Sequence, residues 1–88
     1  SAAVSISVVT ENQAETDRLW DALTADGGQA GRCAWLTDRW GVSWQIVPRA
    51  LIDSLMSEDR AAAERAFQAM LTMNKVDVAG IEAAFRGD

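Results

Sequence analysis

The sequence predicts an α+β fold: a βαβββ-type half-module followed by two or three C-terminal helices. Three observations predict it. Val4-Ser5-Ile6-Ser7-Val8-Val9 alternates apolar and hydroxyl side chains with period two, the pattern of a half-buried strand. Cys33 to Pro48 reads as two strands about a tight turn at Arg39-Trp40-Gly41. After Pro48 the composition turns Ala-rich, and the apolar spacing lengthens to that of helices. One domain is therefore expected over residues 1–88, with 1–48 the mixed module and 49–88 a helical extension.

Each element has a local reason. In the first strand Val4, Ile6 and Val8 are expected on one face and Ser5 and Ser7 on the other. Asn12 followed by Glu15 resembles a capping box and starts a helix. Leu19, Trp20 and Leu23 supply its apolar stripe, which covers the first strand, and Gly27-Gly28 ends it. Residues 29–32 form a short loop or a weak strand. A three-residue loop with Gly41 in the left-handed region pairs Asp38 with Val42, Leu36 with Trp44 and Ala34 with Ile46. Cys33, Trp35 and Thr37 then share the opposite face with Val47, Gln45 and Ser43. A slip of one residue would mix polar with apolar on both faces. Pro48, lacking an N–H, ends the last strand.

The remaining chain reads as helical. Residues 49–56 form a short helix with Leu51, Leu55 and Met56 inward. Ser57 is the expected cap of the next helix, with Glu58 and Asp59 in its first turn. Ala63, Ala66, Phe67, Met70 and Leu71 make its inner stripe, leaving Glu64, Arg65 and Gln68 outside. Asp77 caps a last helix carrying Val78, Ile81 and Phe85.

Composition narrows the function. The chain has 88 residues and a net charge of −5, with 13 acidic against 8 basic residues spread along its length. No nucleic-acid surface is expected, since that needs clustered Lys and Arg. The apolar runs fall far short of the ~20 residues of a membrane span, so no membrane partner is expected either. No basic-then-apolar signal precedes the first strand. A single cysteine forms no internal disulfide and fits a reducing, cytoplasmic setting. Histidine is absent, which removes the commonest general base and the commonest zinc ligand.

The stretch Asp38-Arg39-Trp40-Gly41-Val42-Ser43-Trp44-Gln45, closing a strand-helix-strand-strand order, resembles a half-module of the vicinal oxygen chelate (glyoxalase/bleomycin-resistance/dioxygenase) superfamily. Trp44 to Leu51, Gln68-Ala69-Met70-Leu71 and Asn74-Lys75-Val76-Asp77-Val78 are similar to the branch described as 3-demethylubiquinone-9 3-methyltransferase-like. The likeness runs from Val4 to Gly87 and covers the C-terminal half of a usual two-module member. The resemblance implies two modules whose sheets enclose one cup, so a homodimer or a pairing with a second module is expected. Metal-dependent members carry a glutamate four residues after the turn glycine and often a histidine early in the first strand. Here those positions hold Gln45 and Ser5, and a neutral amide and a hydroxyl are poor metal ligands. No metal and no cofactor are therefore expected. No glycine-rich loop joins a strand to a helix, as a nucleotide-like methyl donor would need.

The candidate ligand-binding residues are Ser5, Ser7, Trp35, Thr37, Ser43 and Gln45. Period two sends them to one face, where hydroxyls, an amide and an aromatic plane suit a small neutral organic molecule. No catalytic residue is identified, because the face carries no strong base. The alternative is a non-catalytic interaction or dimerisation module whose polar face packs on a partner chain. Trp20 and Trp44 are expected in the core, Trp40 against a partner, Cys33 as a small buried hydrophobe, and Met70 and Met73 in helix packing. Asp38 is expected to cap its own turn.

Overall fold

Strand pairing sets the architecture of this computed structural model, which describes residues 4–88. In chain order the elements are β1 (Ser5–Thr10), α1 (Gln13–Thr24), β2 (Gln29–Ala30), β3 (Trp35–Thr37), β4 (Ser43–Pro48), α2 (Arg49–Leu55), α3 (Arg60–Met70) and α4 (Val78–Arg86). The sheet is four-stranded and mixed, in the order β1-β4-β3-β2, so β1 and the two-residue β2 form its edges. The fold is thus α+β, a βαβββ module followed by three helices.

The hairpin has the expected register. Trp35 pairs with Gln45, Leu36 with Trp44 and Thr37 with Ser43. Asp38 N–H donates to Val42 O at 2.9 Å, and Ile46 N–H to Ala34 O at 3.0 Å, which continues the same register at both ends. Gly41 has φ +86°, a conformation only glycine adopts without strain. β1 runs parallel to β4 and pairs Ser5 with Ser43, Ser7 with Gln45 and Val8 with Ile46. The α1 connection, starting where Asn12 Oδ1 accepts from Glu15 N–H at 2.9 Å, supplies the crossover that a parallel pair requires.

Two clusters make the core. In the first, Trp20 of α1 packs on Leu36 and Ile46 of the sheet, with Val8, Leu23 and Trp44 around them. In the second, Leu51, Ala66, Val76 and Ile81 from the helical half meet Ala34, with Val47 at its margin. Main-chain bonds couple the two halves: Cys33 N–H donates to Met73 O at 2.8 Å and Ala34 N–H to Asn74 O at 2.9 Å. Both donors are left-handed, Cys33 at φ +56° and Ala34 at φ +78°, a region that costs roughly 1–2 kcal/mol for a residue with a Cβ.

Several side chains lie elsewhere than their spacing suggests. Val4 and Ile6 belong to the apolar face but are exposed, because α1 reaches only the Val8 end of β1. Cys33 precedes β3 and is only half-buried; its backbone turn breaks the period-two series that would have placed it beside Trp35. Met56 is 77% exposed, since α2 has already ended at Leu55. The α3 cap is Asp59, whose carboxylate accepts from Ala62 N–H. Ser57 instead accepts from Asp59 N–H, two residues too early to cap. On α3 the buried face is Ala62, Ala63 and Ala66, while Phe67 and Leu71 are exposed. Alanines let α3 approach its neighbours closely; of the larger side chains Met70 packs on the core as expected, while Phe67 and Leu71 are more than a third exposed. Asp77 is the α4 cap residue but its carboxylate makes no capping bond. Gln13 Oε1 accepts from Val78 N–H at 2.7 Å in its place.

Candidate functional site

The two ladders carry Ser5, Ser7, Trp35, Thr37, Ser43 and Gln45 to a single face of the sheet. Ser5 stands opposite Ser43, which stands opposite Thr37; Ser7 stands opposite Gln45, which stands opposite Trp35. The six therefore form two rows of three across β1, β4 and β3. The other face holds Ile6, Trp44 and Leu36 in one row and Val8 and Ile46 in the next, and α1 packs on it through Trp20. The expected face assignment holds for all six residues.

This polar face is a shallow wall. Ser5, Ser7 and Trp35 are exposed, and Thr37, Ser43 and Gln45 are half-buried. At its far end Val9 and Val47 extend the same face, and Val47 touches the helical core. The helical half thus closes one end of the wall. Val9, 42% exposed, was not among the expected wall residues. The signal was present, because the period-two series through Ser5 and Ser7 continues to it.

None of the six side chains hydrogen-bonds to another described residue. Some polar side chains elsewhere are paired within the chain. Thr10 and Thr16 join hydroxyls at 2.6 Å in the core, and Gln13 donates to Asp17 Oδ1 and Val76 O. Exposed and half-buried groups of this kind are open to water, and among the described residues no fully buried side-chain polar atom lacks a partner.

The turn beside the wall is rigid. Asp38 Oδ1 accepts from Trp40 N–H at 2.9 Å and Val42 N–H at 3.0 Å, and Oδ2 accepts from Trp44 Nε1–H at 2.9 Å. The indole bond, then the turn amides, hold its carboxyl below the usual carboxylate range, against the opposing effect of burial. Asp38 caps its turn as expected and, in addition, fixes the indole of Trp44. Trp40 projects from the tip, 73% exposed, with the Arg39 guanidinium 4.1 Å over its ring. Neither Asp38 nor Trp40 belongs to the wall.

The residues present do not suit a metal. Ser5 and Gln45 share the face but occupy different rows, and each offers only a neutral oxygen. Among the described residues no group of three or more His, Cys, Asp or Glu side chains lies close enough to hold an ion. The one carboxylate near the hairpin, Asp38, has its oxygens occupied by three donors.

No curated protein matches the sequence significantly. A model of the 3-demethylubiquinone-9 3-methyltransferase family matches residues 1–47, which is the βαβββ module without the three following helices. The similarity expected for the helical half lies outside that match. The strand-to-helix turn offers no cradle for a nucleotide-like methyl donor: β1 passes through Glu11 and Asn12 without a glycine, and the Asn12 side chain already occupies the Glu15 amide. The match spans more than half of the chain, and on that ground this protein belongs to the 3-demethylubiquinone-9 3-methyltransferase family.

Proposed function

We propose that the chain is a metal-free, glyoxalase-like small-molecule-binding domain whose polar wall forms one side of a ligand cup. The observation that carries this reading is the single face on which Ser5, Ser7, Trp35, Thr37, Ser43 and Gln45 meet in two rows. Two rows of hydroxyls and an amide beside the Trp35 ring offer donors, acceptors and one stacking plane without a fixed charge. A small neutral or weakly polar organic molecule fits that chemistry, and a phenol or quinol of the kind in the family's name is such a molecule. A second wall comes from another module, through homodimerisation or a different chain. Any acid or base for catalysis comes from that second wall, because no wall residue titrates near neutral pH.

A short-chain ubiquinol analogue titrated against intrinsic tryptophan fluorescence tests the reading. Saturable quenching is expected, and Gln45→Leu should weaken binding by about 1–3 kcal/mol through loss of a hydrogen-bond partner. An unchanged affinity and an unchanged fluorescence response in Gln45→Leu would exclude the wall as the site. A second reading, a dimerisation module without ligand chemistry, draws support from the exposed Trp40 ring and the open outer edge of β1. Under that reading light scattering shows a dimer at micromolar concentration, and the analogue leaves both mass and fluorescence unaltered.

A further inference from the structure

A cleft of about 440 Å3 opens between α2 and α4, on the helical half and away from the polar wall. Ala50, Asp53, Ser54, Ser57, Phe85 and Glu82 line it, with Arg86 at the rim. That volume lies within the range of small-molecule sites, ~300–1,000 Å3. Ala50 and Phe85 contribute apolar lining.

Ser54 makes the cleft more than a gap between helices. The residue is only 7% exposed, yet its hydroxyl bonds to no described residue. The hydroxyl is not fully enclosed, and Ser54 lines the cleft. Buried hydroxyls in folded chains are nearly always hydrogen-bonded. Other helical hydroxyls here turn back onto the preceding turn: Thr24 donates to Trp20 O at 2.7 Å and Thr16 to Asn12 O at 2.9 Å.

The charges around the cleft do not cancel. Asp53 rises from α2 and Glu82 from α4 on the two sides. Arg86 is held by Asp88, with Nε 3.0 Å from Oδ2. Arg49, the other cation close to Asp53, is gripped by Glu11 through both Nε and Nη2. Two carboxylates thus line a partly apolar space; Arg86 and Arg49 are each paired with another carboxylate, and Arg60 turns to the carbonyls of Leu55 and Ser57. An aromatic residue in the lining, Phe85, adds attraction for a cation.

The geometry points to a binding site for a small organic ammonium ion: the ammonium between Asp53 and Glu82, its apolar body on Phe85 and Ala50, and Ser54 Oγ accepting a hydrogen bond from it. This site is independent of the polar wall and takes a ligand of different chemistry.

Benzylamine is a suitable probe, with benzyl alcohol and benzoate as its neutral and anionic counterparts. The 15N-labelled chain is titrated with each at constant ionic strength, following the backbone amides of Ser54, Ser57 and Phe85. Saturable shifts confined to the cleft are expected for benzylamine, with weaker binding of benzyl alcohol and none of benzoate. Glu82→Gln should weaken benzylamine by about tenfold, since hydrogen bonds to charged groups are the stronger ones. Ser54→Ala should weaken it by about fivefold, as expected for one neutral acceptor. Glu82 is exposed, so an unchanged melting temperature in Glu82→Gln separates lost binding from lost folding. Non-saturating shifts, benzoate binding as well as benzylamine, or equal affinity in both variants would each overturn the proposal.

Discussion

The sheet half and the helical half of this chain are built on opposite packing rules. In the sheet half a few large side chains carry the core: Trp20 fills the space between α1 and the Leu36–Ile46 surface. In the helical half the contact surface of α3 is alanine, with Ala62, Ala63 and Ala66 fully buried. Large residues on a pleated sheet hold α1 at a distance set by their own size. Small residues on a helix let its backbone approach the neighbour instead. The sheet half should therefore be sensitive to removing atoms, and the helical half to adding them.

The strongest test of that contrast is Ile46→Ala. Ile46 has no exposed surface, and truncating such a residue costs about 2–5 kcal/mol. That is a large share of the ~5–15 kcal/mol by which small domains are stable, so chemical denaturation should show a clearly lower midpoint. Next in size is Ala66→Leu, which forces extra atoms into the α3 seam and should cost about 1–3 kcal/mol. If Ala66→Leu proved neutral, the seam would be loosely packed and the contrast would fail.

A pH titration sharpens the comparison on the sheet side. Asp38 has a folded pKa below its unfolded value, so its contribution is present above the unfolded value and is lost as pH falls through the folded one. Glu11 and Asp17 shift in the same direction through Arg49 and Lys75. Melting temperature should accordingly drop on acidification below the ordinary carboxylate range. Asp38→Asn places an N–H2 or a single oxygen where two acceptor oxygens stood, so it should lower the melting temperature at neutral pH and flatten its acid dependence. A variant with the wild-type acid profile would remove Asp38 from that role. The smallest effect is expected for Phe67→Ala and Leu71→Ala, which change stability by about 0.5 kcal/mol or less because both side chains face outward. A large loss at either position would show that this face is covered.

The same contrast explains what could be read from the sequence. Strand alternation leaves two choices of face, and the turn glycine Gly41 selects one register, so the six wall residues were legible from spacing alone. Helical stripes are less decisive. Ala63, Ala66, Phe67, Met70 and Leu71 suggest one inner face by hydrophobicity, yet Phe67 and Leu71 point out. Hydrophobic size argued for burying the large residues, while close helix approach favoured the small ones. Capping failed similarly at Ser57, where a good cap residue precedes a better-placed Asp59. Ser54 left a faint trace, as a hydroxyl three residues after Leu51 and beside Leu55 on an otherwise apolar stripe. The exposure of Ile6 was not legible, because it depends on where α1 stops covering β1.

The joint at Cys33 and Ala34 has a bearing on how this architecture can change over time. Its two bonds run from main chain to main chain, reaching Met73 and Asn74 about forty residues onward. No side chain at these four positions supplies a donor or acceptor to those bonds, so substitutions there leave the splice itself intact. What the joint demands is backbone shape, two successive left-handed residues, and that demand can be met more cheaply by glycine than by cysteine or alanine. The splice therefore leaves Cys33 and Asn74 more room to vary than Ala34, which is buried in the helical core, or Gln13, whose side chain also ties the two halves.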